Sequence, residues 1–202
     1  MKLFFAPGTI SLATLIVLCE ADADFEPIAV NFANQDQTKP EYLAVNPKGR
    51  VPALVTKQGI LTETPALMTY IAENHPAANL IPDTAYERAK MNEMLSYLAS
   101  TVHINHAHKM RGHRWANNQS SFEDMRAKVP ETVFNSFSLI EESLTGPWAI
   151  GTQYTIADAH LFTIANWMQA DGVDPSRLPK IAAHIARMRD RPAVKKAHEI
   201  MG

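Results

Sequence analysis

The most constraining feature of this sequence is a change of pattern near residue 76. Before it, short apolar runs of strand type alternate with helical periods, and after it nearly every apolar spacing is helical. The stretch PAANLIPD at 76–83 carries two prolines and separates the two patterns. We therefore predict an α/β domain at 1–76, a linker at 77–85 and an all-helical domain at 86–202.

The α/β part predicts strands and helices in the order βαβ-ββα. Strands are expected where short apolar runs end at turn residues, at Lys2–Ala6, Phe25–Val30, Val51–Thr56 and Ile60–Leu61. The first helix, Ser11–Ala21, has apolar residues at helical spacing on one face. The second helix opens with Thr64 as its N-cap and Pro65 at its first helical position, and it stops before Pro76.

The second part of the chain predicts a series of helices. Four of them are expected at Tyr86–Gly112, Ser121–Leu144, Pro179–Asp190 and Pro192–Ile200. Another, running through Met168, opens at Thr155–Asp158, which resembles a capping box with aspartate in place of glutamate. Its apolar residues cover most faces, so it should be central to the domain, and we interpret its capping box as structural. Pro130 predicts a bend in the second helix of the series.

Composition excludes several classes of function. The 202 residues carry a formal net charge of −2, which gives no bias towards nucleic acid or anionic membranes. The single cysteine, Cys19, cannot form an intramolecular disulfide. Pro7-Gly8 interrupts the apolar N-terminus, unlike a signal peptide, and no other stretch approaches the ~20 apolar residues of a membrane helix. We expect a cytoplasmic protein with neither a nucleic-acid nor a membrane partner.

Four segments in chain order carry a resemblance to one family. They are residues 7–13 (PGTISLA), 46–54 (NPKGRVPAL), 61–67 (LTETPAL) and 154–159 (YTIADA). With the βαβ-ββα order, which resembles the thioredoxin fold, they look like bacterial cytosolic glutathione transferases, closest to the beta class. The resemblance implies a thioredoxin-like N-terminal domain and an all-α C-terminal domain. It spans essentially the whole chain, but Ile10 stands where beta-class enzymes carry their active-site cysteine.

The resemblance assigns glutathione, a tripeptide with a thiol and two carboxylates, to two segments. Val51-Pro52 looks like the family's cis-prolyl element, which presents the N–H and C=O of Val51 to the ligand backbone. An ordinary strand-opening proline is the alternative. Glu63-Thr64 precedes a helix whose N-terminus suits the γ-glutamyl carboxylate, with the Thr64 hydroxyl as a further donor and Glu63 accepting from the α-ammonium. A plain N-cap with an acidic neighbour is the alternative there.

The group that activates the thiol is less evident, because the Ile10 side chain can neither form a mixed disulfide nor donate a hydrogen bond. Ser11 is the first candidate and Thr9 the second, each a hydroxyl near the start of the first helix. The alternative for Ser11 is an N-cap that touches no ligand. Cys19 lies two turns further along the apolar face, where a free cysteine is usually a small buried hydrophobe.

Residues 103–115 are rich in cationic and aromatic side chains and contain no acid: His103, His106, His108, Lys109, Arg111, His113, Arg114 and Trp115. His103 aligns with the histidine that beta-class enzymes direct at glutathione. The segment is interpreted as an electropositive wall of the glutathione and acceptor site, as a solvated basic face, or as a zinc site through His103 and His106. Convincing third and fourth zinc ligands are lacking, so no metal is expected. The predicted acceptor-site residues are Phe5, Ile10, His106 and Trp115.

The leading functional prediction is a glutathione transferase that conjugates the glutathione thiolate to small apolar electrophiles. One alternative is a glutathione-dependent disulfide reductase or peroxidase that uses glutathione thiols alone. Another is a non-catalytic glutathione-binding or scaffold protein that has kept the fold. The resemblance also implies a homodimer with the site near its interface. The sequence does not identify the electrophile, because variable side chains shape the acceptor pocket.

Overall fold

The computed structural model describes residues 1–202. Its strands are β1 (Lys2–Phe5), β2 (Glu26–Ala29), β3 (Ala53–Val55) and β4 (Ile60–Thr62). Its helices are α1 (Ser11–Glu20), α2 (Pro40–Leu43), α3 (Thr64–Asn74), α4 (Ala85–Tyr97), α5 (His103–Arg111), α6 (Gln119–Ser143), α7 (Ile156–Ala165), α8 (Pro179–Asp190) and α9 (Pro192–Met201). The predicted division into an α/β part followed by an all-helical part is confirmed.

The strands form one sheet in the order β2-β1-β3-β4. Strands β1 and β2 are parallel, whereas β3 runs antiparallel to both β1 and β4. Helix α1 supplies the crossover that a parallel β1–β2 pair requires, while a tight turn suffices between β3 and β4. This is the expected βαβ-ββα arrangement, with Leu3 and Leu54 fully buried under the helices.

Helix α7 is the centre of the helical domain, because every one of its residues from Ile156 to Ala165 is buried. The capping box predicted at its start is confirmed, with Thr155 and Asp158 satisfying each other's backbone donors. Helix α1 packs against α7 and α9 as well as against α3. The two domains therefore share one continuous apolar core.

Two helix predictions need correction. The helix expected over 86–112 contains a π-helical turn at Leu98–Val102, which separates α4 from α5 and places His103 at the start of α5. Such turns are rare and occur often at functional sites. Helix α7 ends at Ala165, three residues before the predicted Met168. Helix α6 contains Pro130 within one helix, and the bend there stays a prediction. None of the helices combines the length and the apolarity that crossing a lipid bilayer requires.

Candidate functional site

Strand register brings the predicted site segments to one end of the sheet. Phe4 of β1 pairs with Ala53 of β3, and Ala53 pairs with Thr62 of β4. The residues just beyond these pairs therefore lie at the same edge. That edge collects three segments: Ala6–Ser11, Val51-Pro52 and Glu63-Thr64.

The Val51-Pro52 peptide bond is cis, as predicted. The preceding carbonyl of Arg50 is fixed by two donors, the Tyr42 hydroxyl and the Asn46 amide, each at 2.6 Å. Neither the N–H nor the C=O of Val51 forms a hydrogen bond within the chain. Since backbone polar groups are almost always paired, these two mark an edge that can accept an extended peptide.

The start of α3 differs in one respect from the prediction. Glu63, not Thr64, is the N-cap, because Glu63 has a φ of 75° and helical dihedrals begin at Thr64. A positive φ in a non-glycine residue costs about 1–3 kcal/mol and is found mainly at ligand sites and switches. The N–H groups of Thr64 and Ala66 and the Thr64 hydroxyl have no partner in the chain, so this N-terminus is open to an anion.

The Glu63 carboxylate is held by Lys48. The Lys48 ammonium lies 2.5 Å from Glu63 Oε1 and 2.8 Å from the Thr62 hydroxyl. The lysine and glutamate side chains are 47% and 65% exposed. Exposed ion pairs contribute only about 0–1 kcal/mol, so this one leaves Glu63 able to accept from the ammonium group of a ligand.

The two hydroxyl candidates at the start of α1, Ser11 and Thr9, differ in burial. Ile10 is the N-cap, and Ser11 is 0% exposed. The Ser11 oxygen lies 2.7 Å from the Thr9 hydroxyl, which in turn donates to the Ala6 carbonyl at 2.7 Å. Ser11 is therefore sealed behind Thr9, which is only partly buried. The main-chain N–H of Ile10 has no partner, a donor that side-chain reasoning overlooked.

Cys19 lies at the far end of α1, about 12 Å from its start at 1.5 Å per residue. Burial raises the pKa of its thiol, which outweighs the opposing influence of Lys196. A thiol with a raised pKa is a poor nucleophile near neutral pH. Cys19 therefore does not substitute for the cysteine that is missing at position 10.

Two predicted acceptor-site residues belong to the core instead. Phe5 is 4% and Ile10 is 6% exposed, and both pack in the apolar core, so they offer little surface to a ligand. Trp115 is 44% exposed and sets its ring edge-on to His108 at 4.6 Å. The ring of the remaining predicted acceptor residue, His106, pairs with His103 and Trp167 instead of Trp115.

His103 stands in a cationic environment. Burial, followed by the charges of His106, Arg111, Arg114 and Arg50, lowers its pKa to about 4, so the ring is neutral at neutral pH. Burial lowers the pKa of Arg111, and the charge of Arg50 lowers it further. Arg50, Arg111 and Arg114 take part in no ion pair. The structure thus brings Arg50, the neighbour of Val51, towards the histidine-rich helix.

His106 has an acidic partner from a distant part of the chain. Its Nδ1 lies 2.7 Å from Oδ2 of Asp171, and its ring stacks on Trp167 at 4.3 Å. Trp167 lies 5.3 Å from the ring of His103, which joins the two histidines into one cluster. No group of three or more His, Cys, Asp or Glu side chains converges as a metal site. No local pattern indicates Asp171 as the partner of His106, because the two residues are 65 positions apart.

An open cleft of about 740 Å³ lies elsewhere. Lys2, Glu26 and Val55 line it, and Lys2 pairs with Val55 at the opposite end of the strands. The candidate site is therefore marked by its unpaired polar groups rather than by depth.

A thioredoxin-like sheet with an open strand end and an open helix N-terminus is thus joined to an all-helical domain. Residues 1–73 match the family described as "Glutathione S-transferase, N-terminal domain", and residues 109–192 match its C-terminal counterpart. Glutathione S-transferase GstA of Escherichia coli O157:H7 is 35% identical over 98% of this chain and 96% of its own.

Two solved structures support the same assignment. A glutathione transferase homologue from Sulfitobacter, with bound glutathione, is 48% identical with a TM-score of 0.96, covering 98% of this chain and 96% of its own. A sphingomonad glutathione S-transferase complexed with glutathione is 33% identical with a TM-score of 0.87, covering 100% and 99%. This chain belongs to the glutathione S-transferase family, and the resemblance drawn from its sequence is confirmed.

Proposed function

We propose that this chain binds glutathione at the open end of the sheet and transfers its thiolate to a small apolar electrophile. The observation that carries the proposal is that two sets of backbone groups without hydrogen-bond partners lie at the same edge: the main chain of Val51 and the N-terminus of α3 at Thr64. The first suits the cysteinyl backbone of the tripeptide and the second suits its γ-glutamyl carboxylate. Glu63 accepts a hydrogen bond from the ligand's α-ammonium group, which takes the place of the Lys48 ammonium.

The second carboxylate of glutathione, on its glycine, requires a cation. Arg50 and Arg111 carry unpaired charges near the neutral ring of His103. We assign the glycyl carboxylate to this arginine pair, and we assign His103 a neutral hydrogen bond to the same ligand. Guanidinium groups suit this role because they bind carboxylates with two parallel hydrogen bonds.

Thiol activation falls to the start of α1. Thr9 is our proposed donor to the thiolate, with the Ile10 N–H beside it, because both lie at the open edge whereas Ser11 is fully buried. To donate, the Thr9 hydrogen must turn from the Ala6 carbonyl towards the sulfur. Ser11 then acts as a positioning residue by donating to the Thr9 oxygen.

Thr9→Val tests this assignment. A hydrogen bond to a charged partner contributes about 1.5–3 kcal/mol, so the variant should lose about 10- to 100-fold in turnover. Its bound glutathione should show less thiolate absorbance at neutral pH. Thr152→Val, at an exposed threonine outside the site, is the matched control and should behave as the wild type. Unchanged thiolate absorbance in Thr9→Val would exclude Thr9.

The same assays separate the alternative functions. Faster reduction of hydroxyethyl disulfide than conjugation of a chlorinated aromatic would favour a glutathione-dependent reductase. Retention on a glutathione column without turnover of either substrate would favour a binding or scaffold protein. Because the pKa of the Cys19 thiol is raised, a reductase of this chain would have to use glutathione thiols alone.

Assembly and location are part of the proposal. We infer a homodimer, since α4 buries only Met91 and Leu95 in the single chain and leaves Tyr86 75% exposed. Light scattering should give twice the mass of one chain. We place the enzyme in the cytoplasm with a role in detoxification, where glutathione keeps thiols reduced.

A further inference from the structure

A histidine–carboxylate pair stands next to the proposed glutathione site. His106 Nδ1 lies 2.7 Å from Asp171 Oδ2, and the aspartate side chain is only 2% exposed. The carboxylate accepts from Nδ1–H, so Nε2 is the nitrogen that is free to take up a proton. This is the arrangement in which an acid fixes the tautomer of a base and faces the charge that develops on its ring.

The free nitrogen of His106 is available to a substrate. Nε2 makes no hydrogen bond within the chain, and it is not a buried atom. The His106 side chain is 30% exposed. One face of the ring is covered by Trp167 at 4.3 Å, and Trp167 also contacts His103. Trp167 therefore covers one face of the His106 ring, and Nε2 stays accessible next to His103, the histidine assigned to glutathione.

The carboxylate is held in place by its surroundings. The Asp171 N–H donates to the Trp167 and Met168 carbonyls, both at 3.0 Å. The Lys109 ammonium lies 3.6 Å from Oδ1 and also donates to the Ala170 carbonyl. Oδ1 itself accepts no hydrogen bond, so the buried carboxylate carries a desolvation cost that its contact with the imidazole offsets only in part.

We propose that His106 transfers a proton to the acceptor substrate, that Asp171 positions it, and that the acceptor is an activated alkene conjugated to a carbonyl group. The inference rests on the proposed transferase activity. Nε2 takes the thiol proton as the thiolate forms, directly or through one water. The sulfur then bonds to the β-carbon, the alkene electron pair moves to give an enolate, and Nε2 returns the proton to the α-carbon.

A chlorinated aromatic acceptor has no such requirement. The sulfur–carbon bond forms, chloride leaves with the carbon–chlorine electron pair, and the thiol proton that Nε2 took up passes to solvent. No proton returns to the substrate, so a positioned proton donor has nothing to protonate. The two acceptor classes therefore distinguish proton transfer by His106 from a general contribution to binding.

The test compares an α,β-unsaturated ketone with a chlorinated aromatic in four proteins: wild type, His106→Gln, Asp171→Asn and the double variant. General acid–base catalysis contributes about 10²- to 10⁴-fold. His106→Gln should therefore reduce turnover of the ketone at least about 100-fold, and the ratio of ketone to aromatic turnover at least about tenfold. Ketone turnover should be no lower in the double variant than in His106→Gln, because both substitutions disrupt the same histidine–carboxylate pair. His198→Gln, at an exposed histidine of α9 outside this segment, is the control.

A second measurement does not depend on rates. In D₂O the wild type should place deuterium on one face of the α-carbon and give a single diastereomer, whereas His106→Gln should give a mixture. A turnover ratio within twofold of wild type, or an unchanged single diastereomer, would overturn the inference. A wild type that binds glutathione but conjugates neither acceptor would overturn the proposed function as well. If Asp171→Asn does not fold, the turnover ratio and the deuterium placement in His106→Gln alone test the inference.

Discussion

Two histidine–carboxylate pairs in this protein have nearly the same geometry and very different surroundings. His184 Nε2 lies 2.9 Å from Asp158, and His106 Nδ1 lies 2.7 Å from Asp171. Both carboxylates are almost completely buried. The His184 side chain is 1% exposed, whereas the His106 side chain is 30% exposed.

The difference lies in the second nitrogen of each ring. Nδ1 of His184 is buried without a partner, so nothing from solvent reaches it. Asp158 also accepts from the Ala149 N–H at 2.7 Å and the Thr155 N–H at 2.8 Å, which joins a loop, the start of α7 and α8. His106 keeps Nε2 open. The His184–Asp158 pair therefore holds the fold together, whereas the His106–Asp171 pair leaves one ring nitrogen open to a substrate.

The largest expected effect comes from removing the structural acid. Asp158→Ala leaves the donors of Ala149, Thr155 and His184 buried without an acceptor, which should reduce the free energy of unfolding by about 3–5 kcal/mol. Urea unfolding followed by circular dichroism measures the loss. Asp158→Asn keeps one acceptor oxygen and should fall between Asp158→Ala and the wild type. A loss below about 1 kcal/mol in Asp158→Ala would contradict the structural role.

A third histidine sharpens the comparison, because His160 is buried without any carboxylate. Burial lowers its pKa to about 3, with His103 adding a smaller effect. The unfolded chain binds this proton near pH 6.5 and the folded chain does not, so stability is lost as pH falls below that value. His160 alone should account for about 2 kcal/mol between pH 7 and pH 5.

The measurement is the free energy of unfolding at both pH values. His160→Leu should flatten the acid-side slope by about that amount, since leucine cannot titrate. His113→Gln, which changes an exposed histidine, should leave the slope unchanged. An identical slope in His160→Leu and wild type would mean that other groups govern the acid sensitivity.

The same two pairs show what the sequence could and could not reveal. The Thr155–Asp158 capping box is local, so its spacing predicted both its geometry and its structural role. Asp171 is 65 residues from His106, and nothing near His106 in the chain indicates an acid. Local patterns predicted the order of strands and helices, because backbone conformation is set largely by neighbouring residues, whereas the cis bond before Pro52 was implied by the family resemblance.

The burial of individual side chains could not be predicted from the sequence either. Ser11 and Thr9 have the same chemistry and stand two positions apart, yet only the folded chain shows that Ser11 is sealed behind Thr9. Phe5 and Ile10 likewise read as acceptor-site residues until packing placed them in the core. Hydrophobic pattern alone does not separate a residue that lines a ligand site from one that lies just beneath it.

The smallest expected effect on stability comes from the second acid. Asp171→Ala removes a buried charge together with its desolvation penalty, and water can replace the carboxylate at the exposed ring of His106. The free energy of unfolding should change by about 1 kcal/mol or less, at least about 2 kcal/mol less than in Asp158→Ala. The same urea titration measures both variants. Equal losses in the two would make Asp171 a structural acid like Asp158. A stable Asp171→Ala protein that has lost ketone turnover would instead show that the open pair is retained for chemistry, since stability would give no reason to bury its carboxylate.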